Sequence, residues 1–214
     1  MSAYAAVVLD MDSTLASVEG IDWLGRKRGP QVAREIATLT DRAMDGSLSL
    51  DDVYGERLAL IRPRAAEIAE LARRYEESLA PDAAAVIARL REAGVALVIV
   101  SGGILQAILP CARELGFADR DVHAVRLILD EHGEYAGFDA SSPLVAQHGK
   151  ADVVRALALP RPLLVVGDGS TDAATIPVAD AFAAFTGFVR REPVVAVAHS
   201  ELRSFADLLE LVLA

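Results

Sequence analysis

Three short apolar runs that each end in a polar turn constrain the fold of this chain more than any other feature. The runs are Tyr4–Leu9, Val95–Val100 and Leu163–Val166, and helical patterns separate them along the chain. Buried strands that alternate with helices predict an α/β fold with a doubly wound parallel sheet. Because such sheets bind ligands beyond the carboxyl ends of their strands, we expect the three turns to converge on one site.

Weaker patterns complete the predicted sheet domain. Ala181–Phe185 and Val194–Ala198 are candidate strands, and Val122–Leu129 with Tyr135–Phe138 predicts a β-hairpin around a glycine-containing turn. Helices are predicted for four stretches, Ala83–Ala93, Leu105–Leu115, Ala151–Ala158 and Glu201–Leu213. These elements assign residues 1–15 and 80–214 to a Rossmann-like core.

The segment from residue 16 to residue 79 breaks this alternation because its pattern is helical throughout. The helices predicted in it are Gln31–Met44, Leu50–Ile61 and Ala65–Leu79, and turn signals such as Gly29-Pro30 and Arg62-Pro63 separate them. We therefore predict a helical cap subdomain of residues 16–79, inserted after the first strand so that it covers the site at the strand ends.

Charge and hydropathy argue against several classes of function. The 214-residue chain has a formal net charge of −10 and no basic cluster beyond short pairs such as Arg190-Arg191, which disfavours nucleic acids and anionic membranes as partners. Its mean hydropathy is +0.33, but no apolar run approaches the roughly 18 residues of a membrane-spanning helix. With no leader pattern at its N-terminus, the chain is expected to be cytoplasmic, and both a monomer and a homodimer stay open.

The first turn places two carboxylates two residues apart, directly after a buried strand. Side chains alternate along an extended backbone, so Asp10 and Asp12 should point to the same side. Burying them without a partner would be costly, and the pair suits one Mg²⁺, a hard cation that binds oxygen ligands. The alternative is an ordinary helix N-cap, because Asp and Ser are common where a strand leads into a helix.

The second and third turns add groups that suit a phosphate and a metal. Ser101-Gly102-Gly103 offers a hydroxyl and backbone amides to phosphate oxygens, although such glycines are also common in purely structural turns. In the third turn, Asp168 is a further candidate metal ligand, and Asp172 is a candidate helix cap or partner of a cation. Lys150 lies at a predicted helix start, where a cation is unfavourable, and this indicates a compensating anion or carboxylate nearby.

Taken in chain order, these residues resemble the pattern of the haloacid-dehalogenase-like hydrolases over nearly the whole chain. The resemblance implies that Asp10 attacks phosphorus to form an aspartyl-phosphate, and that Asp12 acts first as general acid and then as general base. It also implies Mg²⁺ on Asp10, Asp12 and Asp168, with Asp12 contributing its backbone carbonyl. The groups implied to bind the phosphoryl oxygens are Ser101, the Gly102 backbone and Lys150.

Several segments resemble one family of this superfamily, the phosphoserine phosphatases. These segments are Asp10–Leu15 with Glu19–Asp22, Thr40–Met44, Glu56–Ile61, Gly133–Asp139 and Gly167–Asp172. The resemblance implies hydrolysis of O-phospho-L-serine in serine biosynthesis, with Glu19 binding the substrate ammonium and Arg57 its carboxylate. It also implies that Met44 closes the pocket and that Thr171 contacts the substrate. From the residues alone, Glu19 and Arg57 also fit the solvated face of an amphipathic helix.

Three positions depart from that family's pattern. Asp45 replaces a glycine, Ser170 a small apolar residue, and Val125 an asparagine that often precedes Arg126. They leave open another small phosphomonoester as the substrate, such as a phosphosugar or phosphohomoserine. Two further alternatives are a non-catalytic protein that binds a phosphorylated metabolite and a phosphotransferase that passes phosphate to an alcohol. The intact set of aspartates and lysine argues against the non-catalytic protein.

Overall fold

A parallel sheet forms the centre of the protein in the computed structural model, which describes residues 2–45 and 47–214, and only the backbone of residues 50–52. The strands, in chain order, are β1 (Ala6–Leu9), β2 (Ala96–Ile104), β3 (Val122–Val125), β4 (Leu127–Leu129), β5 (Tyr135–Phe138), β6 (Leu163–Gly167), β7 (Ala181–Phe185) and β8 (Ser200–Leu202). A six-stranded sheet has the order β3-β2-β1-β6-β7-β8, and its neighbouring strands all pair in parallel.

Helices flank this sheet and precede its second strand. In chain order they are α1 (Gly20–Arg26), α2 (Pro30–Met44), α3 (Leu50–Ile61), α4 (Ala65–Glu77), α5 (Ala83–Glu92), α6 (Leu105–Glu114), α7 (Gly149–Leu157), α8 (Ser170–Ala173), α9 (Glu192–Val195) and α10 (Phe205–Leu213). The predicted α/β class with a parallel sheet is therefore confirmed. Within the described ranges, no helix has the length and apolar character needed to cross a membrane.

The register of the central strands aligns their carboxyl ends. β1 and β6 are wholly buried apolar runs, as expected of parallel strands that are covered on both faces. Leu9, at the end of β1, pairs with Ile99 on one side and Val166 on the other. Asp10 follows β1 and Asp168 follows β6, whereas Ser101-Gly102-Gly103 lies within the last part of β2 and is not a turn. The three polar segments nevertheless lie at one edge of the sheet, as the sequence predicts.

The helical segment of residues 16–79 leaves the sheet domain and returns to it at adjacent points. Ala16 and Leu79 form an antiparallel bridge, and Ser17 N donates a hydrogen bond to Ser78 O at 2.9 Å. Helices α1 to α4 lie between these two connections. The division of the chain into core and cap at residues 15/16 and 79/80 remains a prediction.

The predicted hairpin is present only in part, as β4 and β5, because Val122–Val125 pairs with β2 as strand β3 of the main sheet. The hairpin contacts the helical segment where α3 ends and α4 begins. Leu127 pairs with Phe138 across this two-stranded antiparallel sheet. Ala65 N donates a hydrogen bond of 2.9 Å to Gly133 O in the hairpin turn. Tyr54 of α3 also packs edge-on against Phe138, with ring centroids 5.5 Å apart.

Two predictions near the C-terminus are wrong. The candidate strand Val194–Ala198 lies partly in α9, which has a proline at its first turn, a position where proline favours a helix. The helix predicted from Glu201 begins only at Phe205, because residues 200–202 pair with β7 as an edge strand. A capping box follows that strand, in which Ser204 Oγ accepts from Asp207 N at 3.2 Å and fixes the start of α10.

Candidate active site

Asp10 and Asp12 lie at the carboxyl end of β1 and line a common cavity. Asp10 is buried, and its Oδ1 lies 2.8 Å from Lys150 Nζ. Desolvation, and next the negative charges of Glu19 and Asp10, raise the pKa of Asp12 well above its ordinary value. A carboxyl group in such surroundings can hold a proton and deliver it to a neighbouring atom.

Asp12 also makes a contact of the kind that the helix-capping alternative predicts. Its Oδ1 accepts a hydrogen bond of 3.3 Å from the backbone N–H of Gly20, the first residue of α1. The same carboxyl group lines the cavity beside Asp10, so capping and a chemical role are compatible in one side chain.

Three buried carboxylates and one lysine form the charged centre of the site. Asp10, Asp168 and Asp172 each offer an oxygen atom, and these oxygens lie within 4.8 Å of one another. Lys150, the second residue of α7, reaches Asp172 Oδ1 at 2.7 Å as well as Asp10. A Cβ atom at Gly167 would lie 2.1 Å from Asp172 Cγ, so only glycine lets this carboxyl group approach the end of β6.

The charges of this centre act on each other's proton affinity. Desolvation favours the neutral amine of Lys150, but Asp10 and Asp172 outweigh it and hold the pKa of the lysine above its ordinary value. Desolvation and the charge of Asp10 raise the pKa of Asp172 to about 7, although Lys150 opposes the shift. The lysine therefore stays charged, and it leaves excess negative charge among the aspartates.

This donor set fits a small hard cation. All three grouped donors are carboxylate oxygens, the ligand type that Mg²⁺ prefers. Asp10 Oδ1 is buried and forms its close contact with Lys150 Nζ, at 2.8 Å. The sequence predicted Asp10, Asp12 and Asp168 as ligands, and the structure groups Asp172 rather than the Asp12 carboxylate with the other two. A ligand role for the Asp12 backbone carbonyl remains a prediction.

The second polar turn faces the carboxylates across the cavity. Ser101 is fully buried within the end of β2, and its Oγ accepts a hydrogen bond of 3.0 Å from Gly103 N. β2 continues through Ile104, and α6 begins at Leu105. The amides of Gly102 and Gly103 therefore belong to the strand and not to the N-terminus of α6. Ser101 and Gly102 nevertheless line the cavity with Asp10 and Asp12.

The cavity unites the groups from both parts of the chain. It encloses a free volume of about 40 Å³, which accommodates only a few water molecules. The predicted site residues that line it are Asp10, Asp12, Glu19, Met44, Arg57, Ser101, Gly102, Asp168 and Thr171. Lys150 does not line it but contacts Asp10 directly. The site residues predicted from sequence are thus gathered in one place, while their individual roles remain predictions.

Arg57 and Glu19 differ from residues on a solvated helix face. Arg57 is buried, and its guanidinium donates a hydrogen bond of 2.8 Å to Thr40 Oγ1, which in turn bonds to Asp22. Arg57 Nε has no partner among the described residues and is available to an anionic group. Burial raises the pKa of Glu19, whose Oε1 accepts a hydrogen bond of 2.7 Å from Ser13 Oγ.

Arg191 is a site residue that the sequence analysis missed. Its side chain is 8% exposed, it forms an ion pair with Asp168, and it lies 3.6 Å from Glu19 Oε1. The only signal in the sequence was the local charge of the Arg190-Arg191 pair, and nothing in it placed either residue at the strand ends. Arg191 adds a second cation to the aspartate cluster.

Two tyrosines of the helical segment were also missed. Tyr75, near the end of α4, donates its hydroxyl to Asp12 Oδ1 at 2.6 Å, and Tyr54 of α3 donates to Gly102 O at 2.8 Å. Burial and the charge of Asp12 raise the pKa of Tyr75 well above its ordinary value, so the phenol is the donor in this pair. Their signal in the sequence is weak, because each is simply an aromatic residue on the apolar face of a helix.

The departures from the family pattern lie around the cavity and not in it. Asp45 is exposed, and its carboxylate accepts a hydrogen bond of 2.8 Å from Ser47 N. Val125 is a buried residue of β3. Ser170 Oγ donates 2.7 Å to Ala43 O, which joins α8 to the end of α2. The negative charge of Asp45 is therefore not part of the cavity lining.

Comparison with known proteins agrees with this geometry. The family model of the haloacid dehalogenase-like hydrolases matches residues 7–176, which contain each of the three polar turns. The chain therefore belongs to the haloacid dehalogenase-like hydrolases, a family of enzymes.

Within this family the chain is similar to phosphoserine phosphatases. It is 36% identical to the phosphoserine phosphatase of Mus musculus over 95% of this chain and 91% of the relative. The Homo sapiens phosphoserine phosphatase is 35% identical with the same coverage. A phosphoserine phosphohydrolase-like protein from Francisella tularensis superposes with a TM-score of 0.90 at 26% identity, covering 97% of this chain and 99% of that one.

Proposed function

We propose that this chain is a Mg²⁺-dependent phosphoserine phosphatase that hydrolyses O-phospho-L-serine to L-serine and phosphate. One observation carries the proposal: Asp10, Asp12 and Ser101 of the sheet domain line the same small cavity as Glu19 and Arg57 of the helical segment. The names of the mouse and human relatives support the same substrate for this chain.

The first chemical step is assigned to Asp10. Its carboxylate attacks phosphorus, an oxygen–phosphorus bond forms, and the bond from phosphorus to the serine oxygen breaks. Lys150, 2.8 Å away, offsets the negative charge that two anions bring together. Ser101 Oγ and the Gly102 backbone lie on the cavity wall and receive the phosphoryl oxygens. Such positioning and charge stabilisation account for most of the catalysis of phosphoryl transfer.

Proton transfer is assigned to Asp12. Its raised pKa favours the protonated form that the first step needs, since the leaving serine oxygen takes up a proton as the bond to phosphorus breaks. The resulting Asp12 carboxylate then accepts a proton from water, and the hydroxide formed attacks the aspartyl-phosphate. Phosphate leaves, and Asp10 and Asp12 return to their starting states.

Recognition of the serine portion is assigned to the helical segment. Glu19 suits the substrate ammonium, and Arg57 suits the carboxylate through the N–H that lacks a partner among the described residues. Met44 supplies an apolar wall, and Thr171 adds a buried hydroxyl on the side of the sheet domain. A phosphomonoester that lacks the two charged groups of an amino acid would leave Glu19 and Arg57 uncompensated.

Mg²⁺ is proposed as the cofactor. Asp10 and Asp168 would hold it with the backbone carbonyl of Asp12, while Asp172 keeps Lys150 in place. When bound, the cation supplies positive charge next to the phosphoryl oxygens. A role in serine biosynthesis, a cytoplasmic location, and a monomeric or homodimeric state likewise remain predictions.

The test is phosphate release from a panel of phosphomonoesters, with and without Mg²⁺. Phosphoserine should be preferred over phosphosugars and phosphohomoserine, and Asp10→Asn should abolish turnover of each ester. Glu19→Gln and Arg57→Lys should reduce turnover of phosphoserine selectively. Arg74→Lys is the control, because Arg74 is an exposed residue of α4 whose side chain pairs with Glu77 at 3.6 Å, away from the cavity lining.

The outcomes separate the alternatives. Preference for another ester would retain the chemistry of Asp10 but reject the assignment of Glu19 and Arg57 to serine recognition. Transfer of phosphate to an added alcohol in preference to water would identify a phosphotransferase. The absence of any Mg²⁺-dependent turnover would contradict the proposal and favour a protein that binds a phosphorylated metabolite without catalysis.

A further inference from the structure

Tyr75 donates a hydrogen bond to one of the two carboxyl oxygens of Asp12. Its side chain is fully buried near the end of α4, and its hydroxyl lies 2.6 Å from Asp12 Oδ1. The backbone N–H of Gly20 contacts the same oxygen at 3.3 Å. Two donors from different helices therefore converge on a single oxygen of Asp12.

The other carboxyl oxygen of Asp12, Oδ2, faces Ser101 and Gly103 of the second polar segment. A Cβ atom built at Gly103 would lie 3.1 Å from Asp12 Oδ2 and 3.2 Å from Ser101 Oγ. Gly103, Ser101 and Asp12 all line the cavity. With Oδ1 held by Tyr75 and Gly20, Oδ2 is the oxygen that meets the reacting groups.

Gly20 is fitted to this contact. A Cβ atom at Gly20 would lie 2.3 Å from Tyr75 Oη, closer than real Cβ atoms approach, and 3.2 Å from Tyr75 Cζ. The first residue of α1 thus leaves room for the tyrosine hydroxyl while its own N–H bonds to Asp12. The tyrosine hydroxyl is therefore fitted between Gly20 of α1 and Asp12.

We propose that Tyr75 is a positioning residue that orients Asp12 so that Oδ2 carries the proton delivered to the leaving oxygen. The inference rests on the proposed function of Asp12. In the step, the proton moves from Asp12 Oδ2 to the serine oxygen as the phosphorus–oxygen bond breaks, and Tyr75 keeps its own proton. Without the tyrosine hydroxyl, the carboxyl group can rotate, and a smaller fraction of molecules presents the proton correctly.

The test compares two leaving groups in Tyr75→Phe. Serine leaves as an alkoxide that needs a proton, whereas p-nitrophenolate leaves without one. We expect kcat/KM for phosphoserine to fall by roughly ten- to hundredfold, the range for a lost hydrogen bond to the carboxylate charge that develops on Asp12 as its proton leaves. kcat/KM for p-nitrophenyl phosphate should change by no more than about threefold, because it reports the steps up to departure of the leaving group, where general acid catalysis contributes little for this ester. Urea unfolding of both proteins checks that the variant is folded.

Tyr54→Phe is the matched control, since Tyr54 is a buried tyrosine of the same segment that donates to Gly102 O and not to Asp12. Tyr54→Phe should lower kcat/KM for both substrates in the same proportion. An equal loss on both substrates in Tyr75→Phe, or no loss on phosphoserine, would overturn the proposal.

The wild-type assay keeps this inference distinct from the proposed function. If the wild type prefers another alkyl phosphate, that ester replaces phosphoserine in the comparison, and the substrate proposal alone has failed. If the wild type turns over phosphoserine and Tyr75→Phe shows no dependence on the leaving group, the function stands and the role of Tyr75 is rejected. If the wild type turns over no ester, both are rejected.

Discussion

Replacement of Lys150 by methionine should destabilise the metal-free protein strongly. The lysine side chain is 7% exposed and lies 2.8 Å from Asp10 and 2.7 Å from Asp172, so both carboxylates lose their shared cation when it is removed. Breaking a buried ion pair by removing one partner costs about 3–5 kcal/mol, because the remaining charge is uncompensated. Methionine keeps a similar length and fills the space, which limits the contribution of a cavity.

The loss of unfolding free energy in Lys150→Met should grow as the pH rises. The pKa of Asp172 is raised to about 7 in the folded protein, so the folded state binds a proton that the unfolded state releases at lower pH. Stability therefore decreases as the pH rises from the unfolded pKa toward 7. Without Lys150, which lowers the pKa of Asp172, this decrease extends to higher pH. The gap between variant and wild type should widen above pH 7 by up to about 1.4 kcal/mol for each pH unit.

Urea unfolding in EDTA at pH 6, 7 and 8 measures this gap. The control is Lys27→Met, which removes the chain's other lysine. Lys27 pairs with Glu70 at the surface, and such pairs contribute at most about 1 kcal/mol. If Lys150→Met loses less than about 1 kcal/mol and the gap is the same at each pH, the reasoning about buried charge is refuted.

Three other perturbations test features of the helical segment and the metal site. Glu67→Gln should cost about 1 kcal/mol at pH 7 in urea unfolding, and the gap should close between pH 4.5 and about 2, since the hydrogen bonds from Arg28 lower the pKa of Glu67 to about 2. A constant gap would contradict this. Gly20→Ala should destabilise by about 1–3 kcal/mol through its clash with Tyr75, and Tyr75→Phe should recover part of that loss; an additive double variant would argue against the clash. Excess Mg²⁺ should raise the melting temperature, with a gain of about 2.7 kcal/mol at 100 times Kd, and Asp168→Asn should remove this effect; an equal shift in the variant would place the ion elsewhere.

The sheet and the residues at its strand ends could be predicted because both depend on local patterns. An apolar strand followed by Asp10, or by Ser101, is visible within a few residues, and the parallel topology then brings the turns together. The weak strand at 194–198 failed for the opposite reason. Its apolar residues suit a helix equally well, and Pro193 decides in favour of α9.

Contacts between residues far apart in the chain could not be predicted from local patterns. Tyr75 and Asp12 are 63 residues apart, and Arg191 and Asp168 are 23 apart, so no short window contains either pair. The family resemblance supplied Glu19 and Arg57. Tyr75 became visible only in the contact of the helical segment with Asp12, and Arg191 only in the contact of the residue before α9 with Asp168. Tertiary packing, and not residue type, gives those two residues their positions.

The small cavity has a consequence for the order of events in turnover. Its free volume of about 40 Å³ is too small for an amino-acid phosphate, so the cavity must widen before substrate fits beside Asp10. Binding must be preceded by opening, and the departure of serine between the two half-reactions must admit the hydrolytic water into the space that serine vacates. If this exchange and not bond breaking is rate-limiting, we expect kcat to fall as solvent viscosity increases. The phosphorylated form of the enzyme would then be the species that accumulates.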